Sequence, residues 1–218
     1  MKRLVVINAG TGNPSSTRQL TDRLAQKALD RLDGEAVVTV IDLGPLAVET
    51  ARAAVAGFAG EELQAAIDKL AAADGIIAAT PVYKAGMSGL FKTFVDVLDN
   101  DLLVAKPVLL AATGGTPRHA LVIDDQLRPL FAYMRALTLP TSVYAAPEDW
   151  GSSSLGERLD RAATELAVMV KAGVERQIAD NAWSSYQHQF GGNAARAEQT
   201  ADDVDFSSRL MRLATGGR

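Results

Sequence analysis

Short apolar, β-branched runs alternate with longer amphipathic stretches along most of the chain. Residues 4–7, Leu-Val-Val-Ile, are bounded by Asn8-Ala9-Gly10, which predicts a buried strand. Leu20, Leu24, Ala28 and Leu32 then recur every fourth residue. They form one stripe of a helix over 16–32, with Ser15 or Ser16 as N-cap and Gly34 as its stop. The same reading predicts strands over 36–41, 75–79, 107–112 and 141–145, and helices over 61–73, 88–98, 121–137 and 155–178. Thr80-Pro81 ends the third strand, because proline cannot donate to a central ladder. Leu90, Phe91, Phe94, Val95 and Leu98 share one side of the third helix.

Strand and helix in strict alternation imply a parallel sheet with helices on both faces, an α/β fold. The strands read as continuous apolar runs, as burial on both faces requires. In such sheets ligands bind beyond the carboxyl ends of the strands. That singles out residues 8–17, 80–88, 113–118 and 146–151. Beyond about residue 181 the periodicity is lost. The chain therefore divides into a domain over 1–180 and a C-terminal tail over 181–218. The tail is expected to be either a partly disordered extension or an arm. In the second case Trp183, Tyr186, Phe190, Phe206, Leu210 and Leu213 would dock on a partner subunit.

Composition narrows the classes. Of 218 residues, 48% are hydrophobic and 22% charged, ordinary for a soluble globular protein. There is no cysteine, hence no disulfide, iron–sulfur cluster or thiolate zinc site. The two histidines, His119 and His188, have no neighbour at metal-ligand spacing, so no metal is expected. A net charge of −4 argues against a nucleic-acid partner. No apolar run reaches the ~18 residues a membrane span needs. The apolar run that follows Lys2-Arg3 is also too short for a signal peptide, so the expected location is the cytoplasm.

Three of the loops carry candidate chemistry. The first, Asn8 to Arg18, joins a strand to a helix N-terminus, where free N–H groups and the helix dipole favour an anion. It adds the hydroxyls of Thr11, Ser15, Ser16 and Thr17 and the cation of Arg18, a donor set suited to a terminal monophosphate. An ordinary Ser/Thr-capped helix is the plainer alternative. A Gly-x-Gly-x-x-Gly dinucleotide fingerprint fails because residue 15 is Ser, and the Walker lysine is absent. The second loop, Thr80 to Gly89, can offer backbone N–H groups to the edge of a planar ring, with Tyr83 and Lys84 beside it. A turn that only serves packing is the alternative. The third, Thr113-Gly114-Gly115-Thr116-Pro117-Arg118, lets backbone approach a ligand closely and has no aromatic residue. His119 is read as a helix cap, and Lys92 with Asp96 as a solvated i,i+4 pair. Ser88 lies in Gly-Met-Ser-Gly, not the Gly-x-Ser-x-Gly of a hydrolase elbow.

The segment Thr80-Pro-Val-Tyr-Lys-Ala-Gly-Met-Ser-Gly-Leu-Phe-Lys-Thr-Phe-Val-Asp96 resembles the flavin-loop signature of NAD(P)H-dependent FMN reductases with a flavodoxin-like fold. The segment from Ala112 to Leu130 strengthens the likeness. Together they resemble the reductase partners of two-component alkanesulfonate and luciferase-like monooxygenases, over residues 3–151. The first loop departs from that group's Gly-Ser-x-Arg-x-x-Ser form, with Thr11 in place of Ser. The resemblance implies a flavodoxin-like three-layer sandwich with a five-stranded parallel sheet of order 2-1-3-4-5. It implies FMN and NADPH or NADH as cofactors, and hydride transfer that needs no protein acid or base. Thr11, Ser16, Thr17 and Arg18 would hold the phosphate. Pro81, Val82, Tyr83 and Lys84 would line the ring, and Thr113, Gly114 and Gly115 would form the other wall. A homodimer or homotetramer and a flavin-dependent monooxygenase partner are expected. A flavodoxin-type electron carrier, an FMN-dependent quinone or azo reductase, and a nucleotide-binding regulatory module remain as alternatives.

Overall fold

The computed structural model describes residues 1–182. The tail beyond them, with its expected arm, lies outside the described residues. The strands are β1 (Lys2–Asn8), β2 (Ala36–Asp42), β3 (Gly75–Tyr83), β4 (Gly86–Met87), β5 (Pro107–Thr113), β6 (Leu137–Thr138) and β7 (Val143–Ala145). The helices are α1 (Ser16–Arg31), α2 (Leu43–Ala56), α3 (Glu61–Ala71), α4 (Gly89–Asp96), α5 (Arg128–Tyr133), α6 (Ser153–Ala172) and α7 (Val174–Ala182).

The main sheet is parallel and runs β2-β1-β3-β5, with β6 and β7 both pairing along the far side of β5. This is the expected order 2-1-3-4-5, with the fifth position occupied by two short pieces. Leu137 pairs with Pro107 and Val143 with Ala111. Pro140 lies between the pieces and has no N–H to continue the ladder.

Successive strand residues point to opposite faces, and the two faces build separate cores. Val5, Ile7, Ile76, Ala78, Val108 and Leu110 pack against the face covered by α2, α3, α4 and α5. There Phe91 and Phe131 meet with ring centroids 6.2 Å apart. Leu4, Val6, Ile77, Ala79, Leu109 and Ala111 face α1 and α6. Each fully buried Leu, Ile or Phe contributes about 1.5–3 kcal/mol, and the many such residues in the two cores support the sheet beneath its loops.

Four elements differ from the sequence pattern, each for a local reason. The third strand does not end at Thr80-Pro81 but runs to Tyr83: β1 pairs with it only as far as Ala79, so Pro81 sits where one side of β3 is an edge and a missing N–H is tolerated. Residues 43–60, which carry no predicted element, hold α2. Gly44-Pro45 reads as a turn, yet Pro45 falls in the first helical turn, where a missing N–H costs nothing. The helix predicted over 121–137 is a π-helical turn, Ile123–Leu127, followed by the short α5. Pro129 cannot donate to the carbonyl four residues earlier, which opens the ladder at that point. The helix predicted over 155–178 is interrupted by Gly173, which takes a left-handed φ of 63° and closes α6 before α7 begins.

Candidate functional site

The loops at the carboxyl ends of the strands converge above the middle of the sheet. Ser15 caps α1 and accepts the Arg18 N–H at 3.2 Å. The N–H groups of Ser16 and Thr17 begin the helix and have no intrahelical acceptor. The loop before them is tightly folded: a Cβ on Gly10 would meet Ser15 Oγ at 2.2 Å. Asn8 accepts from the Gly10 N–H at 3.1 Å and donates to Asp42 at 2.7 Å. The end of β1, the first loop and the end of β2 are thereby joined.

Thr11 and Ser16 are exposed, and both hydroxyls are open to a ligand. Thr17 is buried, its hydroxyl 2.7 Å from that of Thr113 at the end of β5. Arg18 turns to carboxylates, 2.7 Å from Asp22 and 2.8 Å from Asp42. The hydrogen bond to Asp22 and the charge of Asp42 hold its guanidinium above its ordinary pKa, against a smaller opposing effect of burial. In this geometry Arg18 braces the first turn against β2.

β3 runs on through Pro81 and Val82 into a two-residue hairpin with β4, pairing Tyr83 with Gly86. The two turn residues, Lys84 and Ala85, both have positive φ, 50° and 66°. That is the sign pattern of a type I′ hairpin turn. Neither is Gly, Asn or Asp, so the turn stores roughly 1–3 kcal/mol per residue. Gln126, in the π-helical turn, holds it: its carboxamide accepts from the Met87 N–H at 3.0 Å and donates to the Ala85 carbonyl at 3.4 Å. Beneath the turn, buried Thr80 accepts from the Ser88 N–H at 3.0 Å, and Ser88 caps α4. Tyr83 and Lys84 are exposed at the rim.

The glycine loop after β5 lies against this hairpin. A Cβ on Gly114 would be 3.5 Å from Val82 and only 2.2 Å from the Tyr144 hydroxyl. The Gly114 N–H donates to the Ala145 carbonyl at 3.2 Å, and the Tyr144 hydroxyl donates to the Thr116 carbonyl at 2.6 Å. Burial, and next the charges of Asp149 and Glu148, push the Tyr144 phenol above its ordinary pKa. Nothing lies within 4 Å of a Cβ placed on Gly115, so that residue borders open space. In the last loop Asp149 accepts from the Ala146 N–H at 2.8 Å. The Arg23 guanidinium there lies 5.1 Å from the ring centroid of Trp150.

The structure thus brings the first loop, the hairpin and the glycine loop together. Sequence reasoning placed Asn8 in the first loop without a role and missed Tyr144, Gln126 and Asp42. Asn8 and Asp42 had a signal, each a polar residue ending an apolar strand. Tyr144 reads as an ordinary strand residue and Gln126 as an ordinary helix residue; nothing in the pattern sets them apart. The residues present suit a flavin mononucleotide. Free N–H groups and two exposed hydroxyls offer donors for a phosphate, and a hairpin and a close-packed glycine loop flank an open position.

The arrangement, a doubly covered parallel sheet with its loops gathered over the central strands, is that of the flavodoxin-like flavoproteins. The comparisons narrow it. The family model for NADPH-dependent FMN reductases matches residues 2–151, and the chain belongs to that family. It is 42% identical over 148 residues to an FMN reductase (NADPH) of Pseudomonas aeruginosa, covering 68% of this chain and 78% of that protein. It is 38% identical over 165 residues to the NADH-dependent FMN reductase SfnF of Pseudomonas fluorescens, covering 76% and 87%. Among solved structures, an oxidoreductase from Corynebacterium diphtheriae shares 40% identity at a TM-score of 0.76, covering 79% of this chain and 98% of that one. The apo form of the NADH:FMN oxidoreductase EmoB shares 28% identity at a TM-score of 0.68, covering 77% and 89%. The chain is therefore an NAD(P)H-dependent FMN oxidoreductase, which decides against the electron-carrier and regulatory-module readings.

Proposed function

We propose that Thr11, Ser16 and the first N–H groups of α1 bind the FMN phosphate. In this reading Thr17 and Arg18 hold that turn in place, and the isoalloxazine lies between Pro81–Lys84 and Thr113–Gly115. The observation that carries it is the Thr17–Thr113 hydroxyl pair, 2.7 Å apart, which fixes the anion-binding turn relative to the glycine loop. Bound FMN supplies the acceptor for a hydride from NAD(P)H. The chain's own task is to orient the ring and leave one face open, and the absence of aromatic residues from Gly114 to Arg118 supports that.

The product of the reaction serves a flavin-dependent monooxygenase in the cytoplasm, a reading supported by the motif resemblance. Among the described residues no helix is long and apolar enough to cross a membrane. A homodimer or homotetramer is part of the same reading. Phe94 and Phe131, apolar residues of the helices predicted over 88–98 and 121–137, belong to the core. Among the described residues, the exposed apolar side chains include Val48, Val55, Phe58, Leu121, Tyr133 and Val168.

The phosphate assignment is tested by titrating FMN and riboflavin into the unmodified protein and the Ser16→Ala variant. Loss of a hydrogen bond to a charged group costs about 1.5–3 kcal/mol. FMN affinity should therefore fall at least about tenfold while riboflavin affinity holds. Equal losses for the two flavins would contradict the assignment.

A further inference from the structure

Between the strand ends and the helices that follow, the converging loops contain two Lys or Arg residues, Lys84 and Arg118. Of the arginines on the adjoining helices, Arg18 pairs with Asp22 and Asp42, Arg158 pairs with Asp149, and Arg23 is engaged over the ring of Trp150. Arg118 is exposed, and among the described residues no carboxylate pairs with it. Its backbone is nonetheless fixed. Thr116 caps the 3-10 turn Pro117–His119 by accepting the Arg118 N–H on its hydroxyl at 3.2 Å. The Thr116 carbonyl is in turn held by the buried Tyr144 hydroxyl at 2.6 Å. One residue, anchored from beneath and capping outward, presents a free guanidinium from a rigid turn beside the open position at Gly115.

We propose that Arg118 is the residue through which this protein distinguishes a 2′-phosphorylated nicotinamide dinucleotide from the unphosphorylated one, with Tyr144 as its positioning residue. The inference rests on the reading that the nicotinamide approaches over Gly115. The flavin phosphate is assigned to the first loop, so a second anion site by the glycine loop falls to the other substrate. A terminal phosphate monoester carries close to two charges at neutral pH and accepts both arms of a guanidinium. The pyrophosphate is common to NADPH and NADH and cannot discriminate between them. Lys84 carries charge as well, but it sits on the strained hairpin turn and not on the capped turn beside Gly115.

The experiment uses the FMN-loaded protein. kcat/KM is measured with NADPH and with NADH for the unmodified protein, Arg118→Gln, Tyr144→Phe and the double variant. Calorimetry measures the binding of adenosine 2′,5′-bisphosphate and of 5′-AMP. Arg118→Gln should lower kcat/KM for NADPH about ten- to a hundredfold, the range for one charged hydrogen bond, and for NADH by less than about twofold. It should weaken the bisphosphate by a similar factor and leave AMP unchanged. Tyr144→Phe should shift the NADPH/NADH ratio in the same direction by less, and should not shift it further once Arg118 is Gln. Equal losses with both dinucleotides, an unchanged ratio, or AMP and the bisphosphate binding equally well to the unmodified protein would each overturn the proposal. Failure of the flavin reading would appear separately, as failure to bind FMN. The bisphosphate and AMP comparison still decides the role of Arg118 in that case.

Discussion

The hydroxyls of Thr17 and Thr113 lie 2.7 Å apart, both side chains buried, on α1 and at the end of β5. Neither residue is near the other in sequence, and strand β3 lies between β1, which leads into α1, and β5. The contact therefore sets the distance between the two loops of the proposed flavin site. Removing one hydroxyl leaves the other buried without a partner, at a cost of about 1–3 kcal/mol. Thr17→Val and Thr113→Val should each destabilise the fold by that amount in denaturant unfolding. The double variant should cost clearly less than their sum, since no orphan remains. Additive losses would show that the pair is not coupled.

Gly114 and Gly115 are adjacent and predict opposite outcomes. A methyl at 114 would strike the Tyr144 hydroxyl, whereas a side chain at 115 meets open space. Gly114→Ala should lower the melting temperature and weaken FMN, and Tyr144→Phe in the same chain should recover part of both. Gly115→Trp should leave stability and FMN binding near normal and cover the open face. Reduction by NAD(P)H should then fall on the order of a hundredfold, the scale of an ångström's misplacement. Unimpaired reduction in Gly115→Trp would mean the nicotinamide approaches from another side.

Phe131 is fully buried against Phe91 in the face that supports the hairpin loop. Phe131→Ala should cost about 3–5 kcal/mol, measured by denaturant unfolding. A loss below about 1 kcal/mol would show that this core can collapse around the gap.

Asp160 on α6 joins two cations of α1, Lys27 and Arg31, each at 2.8 Å. The hydrogen bond from Lys27, then that from Arg31, holds its carboxyl below the ordinary value of 3.8 despite an opposing desolvation. Its folded pKa is lowered, so its contribution to stability is present above about 3.8 and is lost as pH falls through the folded value. Asp160→Asn should flatten the loss of stability at acid pH below that point. High salt should shrink the difference, because the pair is exposed. An acid limb of the same slope in both proteins would assign it to other carboxylates.

Much of the scaffold was legible in the sequence because each buried strand is an unbroken apolar run and α1 shows a four-residue stripe. The order of the strands followed from the family likeness, and the pairing agrees with it. The errors cluster where one residue outweighs a pattern. Pro45 hid α2, Pro129 opened a π-helical turn, Pro140 divided the edge strand, and Gly173 broke the last helix. At the site, the loop positions could be read, since strand ends mark them. The pairings could not be, because Thr17–Thr113 and Tyr144–Thr116 join residues 96 and 28 positions apart. Only the packed sheet determines which loop residues meet.

The open position at Gly115 implies a bound FMN with one face accessible to a nicotinamide, which would reduce it directly. This is tested most directly by mixing the FMN-loaded protein with NADPH, and separately with NADH, without oxygen and following the flavin absorbance through one turnover. The unmodified protein should lose the oxidised flavin band promptly with at least one dinucleotide, and Gly115→Trp should do so about a hundredfold more slowly at equal FMN occupancy. Bound flavin that neither dinucleotide bleaches would contradict direct reduction at that face.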